Sequence, residues 1–350
     1  MAESRQTLRK RWREGAGAER AAAVLERLRE GLPLDDLGLD EHDGRLDLRG
    51  LALPKPRSVR HLVAGSSVFE EEAGFFEVRD ARWERLDLSH AVLDSVHAAG
   101  LRASNCRFDD ASMRHARFWG VRVEACSFDG ASLRDAGLGG WAAGRGGNRF
   151  ARTSFTGADL RDVGCPAATF EDCDFSDARL DKVEFGASRF DRCRFAGSLR
   201  EVIFERTALV NVGSDFESID LGNELRDCDF RDAVLLWCDF RQLDLRTVAL
   251  PSDPELVVVD HYPCVLERVL SQIDGDRSPP ALALLGKLQN DQKWLHPDRQ
   301  VGLFHRAELR EGVGDAAASG AERILRDAEQ QCASDGGGSR LRRFARRVAG

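Results

Sequence analysis

The chain has no run of eighteen apolar residues and no apolar stretch near its first residue. A membrane-spanning helix and a secretory leader are therefore not expected, and a cytoplasmic protein is. It has no Gly-x-Ser-x-Gly, no His-Glu-x-x-His, no Walker loop and no EF-hand loop, so the reactions those patterns serve have no seat here. Residues Gly312 to Ala317 read GVGDAA, but no strand pattern precedes them and a dinucleotide loop is rejected. Nine cysteines include no C-x-x-C pair and form no cluster with the eight scattered histidines, so no metal site and no cofactor are expected. Lysine is scarce beside arginine, and a net charge of −8 is not that of a direct nucleic-acid binder. The acidic residues are dispersed rather than paired for acid–base work, and an enzyme is not expected.

What is present is a beat of five. From Trp83 the fifth residues are Leu88, Leu93, Ala98, Ala103, Phe108, Met113, Phe118, Val123, Phe128, Leu133 and Leu138. After a slip the beat resumes at Phe150, Phe155, Leu160, Cys165, Phe170, Phe175, Leu180, Phe185, Phe190 and Phe195. It returns at Phe204 and Leu209, at Leu221, and from Phe230 to Leu250. Two residues before each large apolar side chain stands a small one, such as Ala91, Cys106, Ala131, Cys173 or Ala233. A period of five is neither helical nor strand-like, so the repeat must be read before any local element.

Stretches such as ADLRD (Ala158 to Asp162), CDFSD (Cys173 to Asp177) and CDFRQ (Cys238 to Gln242) resemble the pentapeptide-repeat family over roughly residues 81–250. The resemblance implies a mainly β fold, a right-handed quadrilateral β-helix with four pentapeptides to a coil of twenty residues. Stacked coils bury what one pentapeptide cannot. Positions twenty apart then lie over one another. Phe150, Phe170 and Phe190 form one core column and Phe155, Phe175 and Phe195 another. Asp159 is expected over Arg179, Arg161 over Asp181, Asp162 over Lys182 and Asp172 over Arg192. Cys106 and Cys126 should stack, as should Cys173 and Cys193, all as compact apolar thiols that stay reduced in a cytosolic setting.

Residues 1–45 read as a helical cap and 46–80 as early or degenerate repeats with a loop. Leu46, Leu48, Leu51 and Leu53 make two early repeats, Val63, Val68 and Val78 fall in phase, and Glu70 to Glu72 form the loop. The β-helix occupies 81–250, with slips near Gly144 to Asn148, Ala196 to Arg200, Val210 to Phe216 and Gly222 to Arg226. Residues 251–335 read as a helical unit, with helices at Val265 to Ile273, Ala281 to Trp294 (opened by Pro279 and Pro280) and Ala321 to Cys332. A flexible linker and a basic amphipathic tail fill 336–350.

Three outward features are candidate partner-binding sites. Arg82, Arg102 and Arg122, each twenty apart, should form an arginine stripe that Glu84 and Glu124 partly neutralise. Asp174 and Asp177 lie in the more acidic half, where residues 171–250 carry 11 basic and 18 acidic side chains. Leu236 and Trp237 form an outward apolar pair that the C-terminal helices or a second subunit should cover. His90, His97 and His115 fall on outward positions and need no ligand role. Two functions stay open. One is a non-enzymatic scaffold for an unknown protein partner. The other, implied by the resemblance, is a mimic of duplex DNA that binds DNA gyrase or a topoisomerase and protects it from drug or toxin. A continuous acidic stripe would favour mimicry and a checkerboard the scaffold. A homodimer through the C-terminal helices is a further expectation.

Overall fold

A side of five residues has one inward side chain at its centre and must turn before the next side begins. A computed structural model describes residues 3–63, 67–141, 146–212, 215–220, 224–295 and 300–334 and shows how the turn is made. Two residues after the central one the backbone enters the left-handed region. Asp80, Arg85, His90, Asn105, Asp110, Asp162, Asp177 and Arg192 all take φ between 49° and 59° there. That conformation disfavours most L-residues and is best tolerated by glycine, asparagine and aspartate. Gly100, Gly120, Gly130 and Gly157 occupy the same kind of corner.

The sides stack as four parallel ladders. The longest joins strands Arg82–Glu84, Arg102–Ser104, Arg122–Glu124, Arg149–Ala151, Thr169–Glu171, Arg189–Asp191 and Leu225–Arg226. A second runs from Leu46 through Leu86 and Asp87 to Arg107, Ser127, Ser154, Asp174, Arg194 and Asp229. A third runs from Ala52 through Val92, Ser112, Ser132 and Asp159 to Arg179, and closes with strands Leu180–Asp181, Arg194–Arg200 and Ala233–Leu236. The fourth joins Glu77–Arg79, His97–Ala99 and Arg117–Trp119, then, past bridges at Gly137 and Gly164, Glu184–Gly186, Ile203–Glu205 and Asp239–Arg241. Corner N–H groups also pair between coils, as Arg85 N–H does with Ser104 C=O at 3.0 Å.

Inside, the backbone spacing dictates ring spacing. Phe150, Phe170 and Phe190 stack with centroids 5.1 and 5.0 Å apart, and Phe155, Phe175 and Phe195 at 5.0 and 4.9 Å. The two columns meet edge to face, as Phe170 and Phe175 do at 5.4 Å. All six side chains are buried. Cys106, Cys126, Cys173 and Cys193 are buried free thiols beside them.

Two of the expected charge rungs form across coils, Asp159 with Arg179 and Asp172 with Arg192, and shorter pairings run along the chain beside them. Asp172 does meet Arg192 across coils at 2.7 Å. Arg161, however, turns back to Asp159 at 2.7 Å, while Arg179 stays 3.9 Å from that carboxylate. The pairs Asp229–Arg231, Asp239–Arg241 and Asp244–Arg246 repeat the pattern at 2.6–2.7 Å. Residues two apart on a strand share a face, and arginine is long enough to fold back along it.

Insertions leave the ladders without breaking them. Ladder partners Val123 and Phe150 are separated by seven residues more than a coil requires. Buried Asn148 closes that gap. Its Oδ1 accepts Val121 N–H at 3.0 Å, and its Nδ2 donates to Phe118 C=O and Leu138 C=O at 2.9 and 2.7 Å. In place of degenerate coil around Val63 and Val68, and of a loop at Glu70 to Glu72, strands Arg57–Val63 and Ser67–Ala73 form an antiparallel hairpin. Only from Glu77, with Val78 buried, does that stretch rejoin a ladder. The slip at Ala196 to Arg200 is continuous strand Arg194–Arg200. A second antiparallel hairpin, Thr207–Val212 with Asp215–Asp220, lies where Leu209 was read as coil. The beat at Leu221 falls outside the described residues.

Both ends are covered. The turn between helices α1 (Arg5–Lys10) and α2 (Ala16–Glu30) brings Trp12, and α2 brings Val24 and Leu28, into one cluster with Leu48, Leu51 and Trp83. Asp47 receives Arg11 at 2.5 Å and Arg49 at 2.9 Å. Burial pulls its carboxyl up, but these guanidiniums outweigh that and hold it well below the usual carboxylate range.

At the other end the unit read as helical also contains strands. Leu256–Val259 and Gly302–His305 pair antiparallel. Leucines 256 and 303 with Val258 and Val301 meet the column, while Val257, Val259 and Phe304 face a separate core. That core is completed by α3 (Tyr262–Gln272), α4 (Pro279–Lys293), α5 (Arg306–Arg310) and α6 (Asp315–Ser334). The expectation of reduced thiols fails here: Cys264 of α3 and Cys332 of α6 form a disulfide, Cα atoms 6.1 Å apart. Sixty-eight residues separate them, with no local spacing to announce the pair. The basic tail falls outside the described residues.

Replacing Phe170 with Ala is expected to cost about 3–5 kcal/mol in a urea titration, because stacked neighbours above and below cannot close the cavity. Asn148→Leu should cost about 3 kcal/mol or more by the same measurement, since three backbone groups lose their partner.

Candidate functional site

The three sets of outward residues lie on three different ladders and are not brought together. Arg82, Arg102 and Arg122 are direct partners on the longest ladder, and Arg149 extends the column by one rung. Sequence spacing hides Arg149, because the insertion before Asn148 shifts it from the twenty-residue register. An arginine immediately before Phe150, once the phase slip is allowed for, is the signal that finds it.

All four arginines are exposed. Arg149 is answered by Glu171 at 2.5 Å. The guanidiniums of Arg82, Arg102 and Arg122 have no hydrogen-bond or ion-pair partner among the described residues. The expected neutralisation by Glu124 does not occur, because that carboxylate turns to Arg152. Glu84 stays on the rung of Arg82 without contacting it. Across these four rungs and their corners the face bears Arg82, Arg85, Arg102, Arg122, Arg149 and Arg152 against Glu84 and Glu124. Like charges on adjacent rungs repel, so this column costs the fold a little stability.

Asp174 lies on the second ladder. Its Oδ1 accepts Ser176 N–H at 2.8 Å and the Ser176 hydroxyl at 2.5 Å. Asp229 and Asp244 likewise accept the N–H two residues on, at 3.0 Å each. These carboxylates brace the turn ahead of them, an Asx-type arrangement. Asp177 is an exposed corner residue with φ of 56°.

Leu236 and Trp237 end the third ladder and are half-buried. Trp237 backbone N–H donates to Glu308 Oε1 at 2.5 Å, and its indole N–H to Glu311 at 3.1 Å. The guanidinium of Arg200 sits 4.4 Å over the indole ring. Trp237 is thus held by α5 and the residue that caps it. A cleft of about 720 Å³ remains beside it, lined by Lys182, Glu184, Glu201, Asp239, Lys287 and Asn290 among others. In it Asp239 Oδ2 accepts Arg241 at 2.7 Å and Asn290 at 3.0 Å. His97, on the fourth ladder, stacks on Phe75 at 4.1 Å and meets the edge of Trp119 at 5.5 Å. Among the described residues no group of histidine, cysteine and carboxylate side chains is placed to hold a metal ion, and no helix is long and apolar enough to cross a membrane.

No protein-family profile matches the chain, and no curated protein does. Solved structures do. HetL, a pentapeptide repeat protein involved in heterocyst differentiation regulation from the cyanobacterium Nostoc sp. strain PCC 7120, is 15% identical, with 50% of this chain and 90% of that one covered and a TM-score of 0.29. QnrB1, a plasmid-mediated fluoroquinolone resistance protein, is 15% identical over 47% and 84% of the two chains, with a TM-score of 0.26. Rfr23 from the cyanobacterium Cyanothece 51142 is 15% identical over 36% and 86%, with a TM-score of 0.20. Overlaps this loose decide nothing by themselves. The five-residue beat, the parallel ladders it feeds and the left-handed corner after each central residue are this chain's own, and they are the features in which it is similar to the pentapeptide-repeat proteins.

The junction with the C-terminal unit should respond to pH. Burial raises the Glu308 carboxyl, opposed by Lys287 and by the Trp237 N–H. A raised folded pKa means that this group's contribution to stability is fully present below the unfolded glutamate value, about 4.3, and is lost as pH rises through the folded one. Glu308→Gln keeps an acceptor for Trp237 and removes the buried charge. Its melting temperature should exceed that of the parent at pH 8 and change less between pH 5 and 8.

Proposed function

We propose that this chain is a pentapeptide-repeat protein, a non-catalytic scaffold that presents its inserted hairpins and outward faces to a protein partner, and that its four ladders close as a right-handed, four-sided helix. The observation that carries this reading is the use of its acidic residues. In the more acidic half, Asp174 is spent on a backbone turn, Asp229 and Asp244 on turns and arginines, Asp172 on Arg192 and Asp232 on Arg194. At these carboxylates negative charge is answered by arginine or by turn N–H groups, which favours the scaffold. A stand-in for duplex DNA needs a dense row of unpaired negative charge. Between the ladders, the hairpin Thr207–Val212 and Asp215–Asp220 carries Leu209 at 71% exposure, and an apolar side chain held out on an insertion is contact material.

The test is capture of partners from the source cells with tagged full-length protein, at two salt concentrations, beside the Leu209→Asp variant. The expected outcome is a specific partner, not a topoisomerase, recovered by the parent and depleted with the variant. Salt-sensitive recovery of a gyrase or topoisomerase subunit by both proteins would overturn the scaffold in favour of duplex mimicry.

A further inference from the structure

The arginine column is a cost without an internal return. Three guanidiniums stand on consecutive rungs of one ladder, exposed and without a partner among the described residues. Elsewhere on the column arginine is routinely answered, by Asp159, Asp172, Asp229 or Glu171. Arg102 is the most naked of the three, because its rung offers only Ser104 and Asn105.

We infer that Arg82, Arg102 and Arg122 form a docking rail for the acidic face of an α-helix of a partner protein. This rests on the scaffold reading and names the chemistry of what the scaffold holds. The choice of helix follows from spacing. Ladder rungs are about 4.8 Å apart. A helix laid along the stack offers one face every turn, about 5.4 Å, through residues three and four apart. Over three guanidiniums the mismatch grows to about 1.2 Å, within the reach of arginine. An extended strand repeats its face every ~6.6–6.8 Å and is about 4 Å out of step by the third rung. Three separate cations in a row also fit an extended polyanion better than a single small anion. Leu32, 48% exposed, follows Gly31, which packs on Ala81 and Arg82 at the top of the rail. It supplies an apolar contact for an amphipathic helix there.

The experiment is fluorescence anisotropy with full-length protein and a labelled helix-forming peptide bearing Glu at i, i+4 and i+7. Its partners are the same peptide with Gln and a labelled 20-base-pair duplex DNA. The Glu peptide should bind, the Gln peptide at least tenfold more weakly. Arg102→Ser should weaken the Glu peptide several-fold, and the triple Arg82→Ser, Arg102→Ser, Arg122→Ser variant at least tenfold. The melting temperature of the triple variant should not fall, since repulsion is removed with the charges. That rules out misfolding as the reason for lost binding. Equal affinity for both peptides, full binding by the triple variant, or tighter arginine-dependent binding of the duplex would each overturn the rail. A partner captured from cells that ignores these three arginines would leave the scaffold standing and remove only this inference.

Discussion

The left-handed corner is the constraint on which everything else hangs. A chain obliged to turn after every fifth residue can aim one large side chain inward per side, and the next coil must repeat the choice directly above. Ring stacking near 5 Å is therefore a consequence of backbone hydrogen-bond spacing rather than of any preference of phenylalanine for itself. The same corner explains the wealth of aspartate. As a corner residue it tolerates the conformation, and ahead of the corner, as Asp229 and Asp244 show, it accepts the N–H that the turn exposes. Acidity that resembles a functional signature in composition is, residue by residue, largely turn chemistry.

A stack also has two ends, each exposing strand edges and apolar interior. The chain solves the two differently. At the first coil, the helices and the turn between them lay Trp12 and Leu28 on the column, and the indole N–H of buried Trp83 reaches Leu28 C=O at 3.0 Å. At the last coil the cover is a two-stranded sheet with two apolar faces, one turned to the column and one to a small disulfide-linked core. Gly302 is forced at that sheet, because a side chain there would meet the ring of Tyr262.

How much of this was legible depended on whether a residue answered to the period. Phe150 through Phe195 lie where counting by five and twenty puts them, and α4 follows from Pro279, Pro280 and an apolar stripe, whereas α6 opens at Asp315, six residues before the stripe at Ala321 announces it. What escaped lay off the beat. The hairpin at Arg57–Val63 and Ser67–Ala73 keeps valines in apparent phase while pairing only with itself. Strand Leu256–Val259 was too short to tell from helix. Cys264 and Cys332 meet only through the packing of α3 on α6. The arginine stripe was visible as a spacing, but Glu124 was misjudged, because nothing in the period foretold that Arg152 would claim it.

Asn148 carries a consequence for how such a column changes over time. One amide stands in for the neighbours that an interrupted coil would otherwise lose, so the rungs on either side keep register across the insert, whose flanking Gly139 and Gly147 lie against the backbone of the next coil. The join works as a socket. Segments of different length or origin can be exchanged there without re-registering a single phenylalanine, and the column can acquire new contacts by grafting at one corner rather than by adding coils.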